Sequence, residues 1–208
     1  MTKYFLPIAF LVSAIGMTSC KDSNPKTATI VEAMNTDNSP EEEVQKDLLN
    51  VLTDEKDLLI NEGSEQVMKS LIPTFNRINA FTEWAQISTV DFTTGTGEGV
   101  TKLYYNKELQ VEKIVVRKYE KEQQSLDVYY LNEGRVALVI KQLLVYNVDV
   151  KDKAFSIEES EYTKDCNYFA RGKLISIMSN QDCGAPFAHD YLVEVDKEIK
   201  EEVKKLIP

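Results

Sequence analysis

Histidine occurs once in this chain of 208 residues, at His189, and cysteine three times, at Cys20, Cys166 and Cys183. That scarcity removes most metal and nucleophile chemistry at the outset. There is no CxxC pair and no second histidine to assemble a tetrahedral zinc site, and no Gly-x-Ser-x-Gly turn to expose a serine. Long Lys/Arg runs are missing as well. With 24 Lys and Arg against 34 Asp and Glu, the formal charge is -10. A polyanion is repelled by such a chain unless a local basic patch exists, so nucleic acid is not an expected partner. Bulk attachment to an anionic membrane surface is disfavoured for the same reason. Glycine is sparse, with eight residues in all, yet Gly95, Gly97 and Gly99 stand close together. A phosphate loop would need a following Lys and Ser/Thr, and a dinucleotide loop a helix. A strand pattern follows instead, which makes this a hairpin loop. Asp149 and Asp152 lack the glycine and terminal Glu of a calcium loop. Glu158-Glu159-Glu161 and Glu201-Glu202 read as solubilising surface, and no carboxylate pair is placed as general acid and base. No cofactor is expected.

The chain begins with export chemistry. Lys3 supplies a small positive region, Phe5 to Met17 an apolar stretch, and Thr18 and Ser19 are small residues before Cys20. The apolar run is too short to span a bilayer as a mature helix. Met17-Thr18-Ser19-Cys20 resembles the bacterial lipobox, in which the cysteine is lipid-modified and becomes the first mature residue. The resemblance implies a signal peptide over 1–19 and a lipid anchor at Cys20. Removing 1–19 takes away only one charged side chain, Lys3, and so moves the formal charge from -10 to -11. Residues 20–40 are rich in Asp, Asn, Thr and Ser with few large apolar groups, and read as a flexible tether. Cys20-Lys21-Asp22 loosely resembles the acidic segments that mark surface lipoproteins in Bacteroidota.

One domain is expected over 41–208. Pro40 with Glu41, Glu42 and Glu43, then Val44, Leu48, Val51 and Leu52, predicts a helix to about Ile60. Ser64 can cap a second helix with Val67, Met68, Leu71, Ile72 and Phe75 on its apolar face, kinked or ended by Pro73. Strands follow. Tyr129-Tyr130, the turn Asn132-Glu133-Gly134 and the run Val136 to Ile140 form a β-hairpin pattern. It recurs upstream at Tyr104-Tyr105-Asn106-Lys107-Glu108-Leu109 and downstream at Tyr168-Phe169-Ala170-Arg171-Gly172-Lys173. Further strands are expected at 84–93, at 109–119, and from Phe155 and Ile157 onward. The five consecutive apolar residues of Val136 to Ile140 predict a strand covered on both faces. Leu192, Val195, Ile199, Val203 and Leu206 step by three and four, predicting a C-terminal amphipathic helix. The fold class is therefore α+β: a curved antiparallel meander of about six or seven strands, short of a closed barrel, with N- and C-terminal helices.

With Cys20 assigned to lipid, Cys166 and Cys183 form an even pair in an oxidising setting and are expected to bridge. Closing that loop would contribute on the order of 3 kcal/mol. A two-residue turn at Arg171-Gly172 would set Cys166 opposite Ile177, so the bridge requires the chain to double back through Asn180-Gln181-Asp182. The alternative use of Cys183 is as the nucleophile of a Cys-His hydrolase with His189, which needs a free thiol.

The hairpin units Thr96 to Tyr105 and Leu143 to Asn147, behind a lipobox, tether and helix, resemble small Bacteroidota lipoproteins with repeated Tyr-Tyr/Phe, Gly-Lys/Arg hairpins. That resemblance implies an antiparallel meander and no known activity. The expected function is that of a non-enzymatic binding or interaction module, lipid-anchored in the cell envelope at the outer membrane. Another expected role is as an inhibitor or chaperone of a partner protein. If the sheet is half open, Tyr105, Tyr130 and Tyr146 are the candidates to hold an apolar or glycan ligand, although alternate strand residues of this type more often form core.

Overall fold

The computed structural model describes Leu52, Leu58 and residues 65–181 and 187–208, all within the unit Asn38–Pro208. Seven antiparallel strands run in sequence order as one open meander: β1 Gln86–Thr93, β2 Gly97–Tyr105, β3 Val111–Glu120, β4 Gln123–Asn132, β5 Arg135–Val145, β6 Glu161–Ala170 and β7 Lys173–Ser179. Helix α1, Glu65–Asn79, packs on β4 to β6, and helix α2, His189–Leu206, meets β7. The α+β class and the meander are as the sequence predicts. The first predicted helix, 40–60, falls outside the described residues apart from Leu52 and Leu58.

The sheet separates two apolar layers. Met68, Leu71, Phe75 and Ile78 of α1 pack on Leu126, Val128, Tyr130, Ile140 and Tyr168. Ile199 and Val203 of α2 pack on Tyr129, Leu131, Val139 and Phe169. Because side chains alternate along a strand, neighbouring residues serve opposite layers: Tyr130 faces α1 while Tyr129 and Leu131 face α2. Residues 136 to 140 are all buried, which the helix on each face accounts for.

Three expectations need correction. Pro73 does not end α1, which continues to Asn79. It lies on the exposed face, and Phe75 and Ile78 beyond it are buried. Two such side chains stabilise by about 1.5–3 kcal/mol each, enough to offset the roughly 3 kcal/mol an internal proline costs. Ile72, placed on the apolar face by pattern, is 39% exposed. Residues 155–160 are not strand: β6 begins at Glu161, and the segment before it is organised by Asn147. The Asn147 amide accepts from the Ser156 N–H at 3.1 Å and donates to the Ala154 carbonyl at 3.1 Å and the Glu159 carboxylate at 3.2 Å. Phe155 is held against Tyr146, with ring centroids 5.4 Å apart.

Candidate functional site

The three tyrosine segments become three hairpin tips, β2–β3, β4–β5 and β6–β7, which a meander places at one end of the sheet. Register slips in each, between Tyr104 and Tyr105, Tyr130 and Leu131, and Tyr168 and Phe169. The extra residues on the opposing strands are Glu112, Ala137 and Ile175. Each slip is a β-bulge, which bends a strand and increases its twist locally. Cys166 therefore stands opposite Met178, not Ile177. It is fully buried in the α1-side layer. Cys183 lies outside the described residues, and so do the Cys166–Cys183 bridge and Cys20.

The candidate ligand tyrosines do not meet. Tyr105 is half-buried against the α2-side layer, while Tyr130 is fully buried on the α1 side beneath Phe75, ring centroids 5.1 Å apart. Tyr146 is half-buried at the margin of that same side, against Phe155. Tyr105 packs on the opposite face of the sheet from Tyr130 and Tyr146. The Tyr130 ring is part of the filled interior, whereas Tyr105 and Tyr146 pack half-buried against the two layers. His189 is exposed at the first position of α2.

Two polar networks fix the helices to the sheet. Under α1, Arg77 donates to both carboxylate oxygens of buried Glu112, at 3.1 and 2.7 Å, and the Asn106 amide donates to the same carboxylate at 2.8 Å. Beside it, the buried Lys113 ammonium lies 5.8 and 5.4 Å from the ring centres of Tyr104 and Tyr130, in cation–π contact with both. Under α2, Glu202 accepts from Lys141 and from the Tyr129 hydroxyl, the latter at 3.1 Å. Asp127 pairs across the strands with Lys141. Loss of hydration pushes its carboxyl up to about 6 despite the opposing pull of Lys141 and Lys118. Burial likewise pushes the Tyr129 hydroxyl far above its ordinary value.

The feature that sequence reasoning missed lies at the hairpin tips. The turns Glu133-Gly134 and Arg171-Gly172 sit beside the last turns of α2, and between them is a cleft of about 530 Å³ bordered by Arg135, Arg171, Lys200 and Lys204. Four cations converge there in a chain of net charge -10. They come from three separate stretches of sequence, so no basic run announces them. The available signal was the turn repeat itself, which aligns Glu133-Gly134-Arg135 with Arg171-Gly172-Lys173, together with the i,i+4 spacing of Lys200 and Lys204. The two turns share one conformation: Glu133, Gly134, Arg171 and Gly172 have φ of 52°, 73°, 51° and 73°. Those values are the left-handed conformations of a two-residue hairpin turn. A Cβ at Gly172 would lie 3.7 Å from Arg135 Cδ, so the Arg135 side chain crosses the neighbouring turn.

Among the described residues no group of three or more His, Cys, Asp and Glu could hold a metal ion, and no helix is long and apolar enough to cross a membrane. No family model, no curated protein and no solved structure matches the chain.

Proposed function

We propose that the chain is an exported protein of the cell envelope, anchored in the outer membrane through lipidated Cys20, whose folded domain is a non-enzymatic binding or interaction module. The anchor is supported by the lipobox-like Met17-Thr18-Ser19-Cys20 and the polar tether that follows it. One observation carries the interaction reading: the interior of the sheet is occupied, with Tyr130, Tyr168 and Phe169 fully buried between two helices. A domain filled in this way engages other molecules through its outer surface, and the cleft at the hairpin tips is the surface feature with concentrated charge.

The anchor is tested by expressing the full chain in a bacterial host that processes lipoproteins and measuring the intact mass of the product. The expected mass lacks 1–19 and carries acyl chains on Cys20, and the Cys20→Ser variant moves to the soluble fraction. An unacylated wild-type product overturns the anchor. The non-enzymatic part is tested with an ester and peptide substrate panel. Turnover that disappears in Cys183→Ala would overturn it in favour of the Cys-His hydrolase.

A further inference from the structure

We infer that the cleft between the two hairpin turns and the C-terminal end of α2 is a binding site for a phosphate group carried on a small carbon body. This deepens the binding-module reading and does not depend on the lipid anchor. The first argument is charge. Arg135, Arg171, Lys200 and Lys204 border one cleft in an acidic protein, and no ion pair or side-chain hydrogen bond among the described residues engages Arg135, Arg171 or Lys204. Lys200 alone is partly neutralised, by Asp196 at 2.6 Å. With 34 Asp and Glu in the chain, arginines left without a carboxylate are available to an external anion.

The second argument is shape and donor type. The end of a helix offers carbonyl oxygens, not N–H groups, so on the α2 side of the cleft recognition falls to side chains. A guanidinium presents two parallel N–H donors that match the oxygens of a phosphate, and two of them with two ammonium groups suit a dianion better than a single carboxylate. Lys204 and Lys205 also offset the negative end of the α2 macrodipole. Val136, Val203 and Ile207 supply an apolar floor beside the charges. That combination fits a phosphate ester better than bare inorganic phosphate. The carrier could be a soluble phosphate ester or a phospholipid headgroup; the chemistry recognised is the same, and the test separates them.

The test uses the full-length chain carrying Cys20→Ser, labelled for NMR, with the Gly134 and Gly172 amides as reporters on the two turns. Glycerol 3-phosphate is expected to shift both signals saturably, with affinity falling as salt rises. The double variant Arg135→Gln/Arg171→Gln should bind at least 10-fold more weakly, and Lys204→Gln by a smaller factor, about 3-fold. A charge-matched control, Lys151→Gln/Lys153→Gln, should bind as the parent does. Sedimentation with phosphatidylcholine vesicles, with and without phosphatidylglycerol, identifies the source. Arginine-dependent binding to the anionic vesicles assigns a lipid headgroup, and binding of glycerol 3-phosphate alone assigns a soluble ester. Shifts that do not saturate, equal weakening in the control, or octanoate binding as tightly as glycerol 3-phosphate would overturn the assignment. Arg135, Arg171, Lys204, Lys151 and Lys153 are all exposed, and an unchanged amide spectrum elsewhere separates loss of binding from loss of fold.

Discussion

Lys141 Nζ donates to both carboxylate oxygens of Glu202, at 3.1 and 2.9 Å, and so ties the middle of the sheet to α2. Asp127 stands directly across from that lysine and competes for it with Glu202. Dehydration and the neighbouring Glu202 raise the folded-state value of Asp127 from 3.8 to about 6. The folded chain therefore holds this proton more tightly than the unfolded chain does. The associated stability is fully present below about pH 4 and is lost as pH rises through about 6. At neutral pH the ionised Asp127 is a liability on the order of 1–3 kcal/mol. Asp127→Asn is expected to melt a few degrees above wild type at pH 8, with the difference closing as pH falls to 4. Thermal unfolding at half-unit pH steps measures this, and a difference independent of pH would contradict it.

The two glycines that open β2 behave differently from the one before them. A Cβ on Gly99 would run into the Phe92 ring and come within 2.7 Å of the Arg117 carbonyl oxygen, whereas one on Gly95 would meet nothing within 4 Å. The tip of the Phe92 ring thus takes the space that a Cβ would need. Gly99→Ala is expected to cost about 1–3 kcal/mol, the usual range for forced overpacking, and Gly95→Ala to be close to neutral. Urea unfolding should show a lowered midpoint for the first with unchanged slope. Adding Phe92→Ala should recover only part of the loss, because the Arg117 carbonyl remains in the way.

How much of this was legible beforehand depends on the distance over which the cause acts. Glu133-Gly134 and Arg171-Gly172 are local turn chemistry, so the hairpins and their order could be read directly. So could burial of both faces at 136–140, since it needs only an apolar run. The bulges could not. The shift that puts Cys166 opposite Met178 turns on one extra residue, Ile175, and nothing in local composition distinguishes it from ordinary strand. Pro73 misled because the proline rule is local, while the burial of Phe75 and Ile78 that outweighs it depends on a sheet formed later in the chain. The tyrosines were legible as strand residues but not as members of a face, since one step of register moves a side chain through the sheet. The cation cluster was least visible, because Arg135, Arg171 and Lys204 become neighbours only when two hairpins and a helix end are brought together.

Arg77 and Glu112 make an unequal pair, and the inequality is testable. The Glu112 side chain is 7% exposed and that of Arg77 is 41% exposed. Removing the carboxylate leaves a guanidinium that can still reach water. Removing the guanidinium leaves a buried carboxylate with only the Asn106 amide to satisfy it. Arg77→Ala is therefore expected to destabilise more than Glu112→Ala, by about 1–2 kcal/mol, with the double variant close to Glu112→Ala alone. A double-mutant cycle in urea decides it. Equal costs for the two single variants would mean the pair acts as an ordinary exposed ion pair.

Leu109 provides the converse case, in which a contact-free substitution should stabilise. It is 63% exposed and has φ of 58°, so it accepts left-handed strain without burying its side chain. Its N–H donates to the Asn106 carbonyl at 3.0 Å, and the Asn106 side chain in turn accepts from the Glu108 and Gln110 N–H groups. The turn is thereby held in a conformation that its own leucine resists. A left-handed residue with a Cβ costs roughly 1–2 kcal/mol, and the extra unfolded-state freedom of glycine returns about 0.5–1 kcal/mol of that. Leu109→Gly should therefore stabilise by about 0.5–1 kcal/mol, and Leu109→Asn, which tolerates the same φ with less unfolded-state entropy, by a similar amount. Leu109→Val should go the other way, because a β-branched side chain fits that conformation worst. Chemical denaturation of the three variants gives the order directly, and a valine variant as stable as the glycine one would show that the turn relaxes around its side chain.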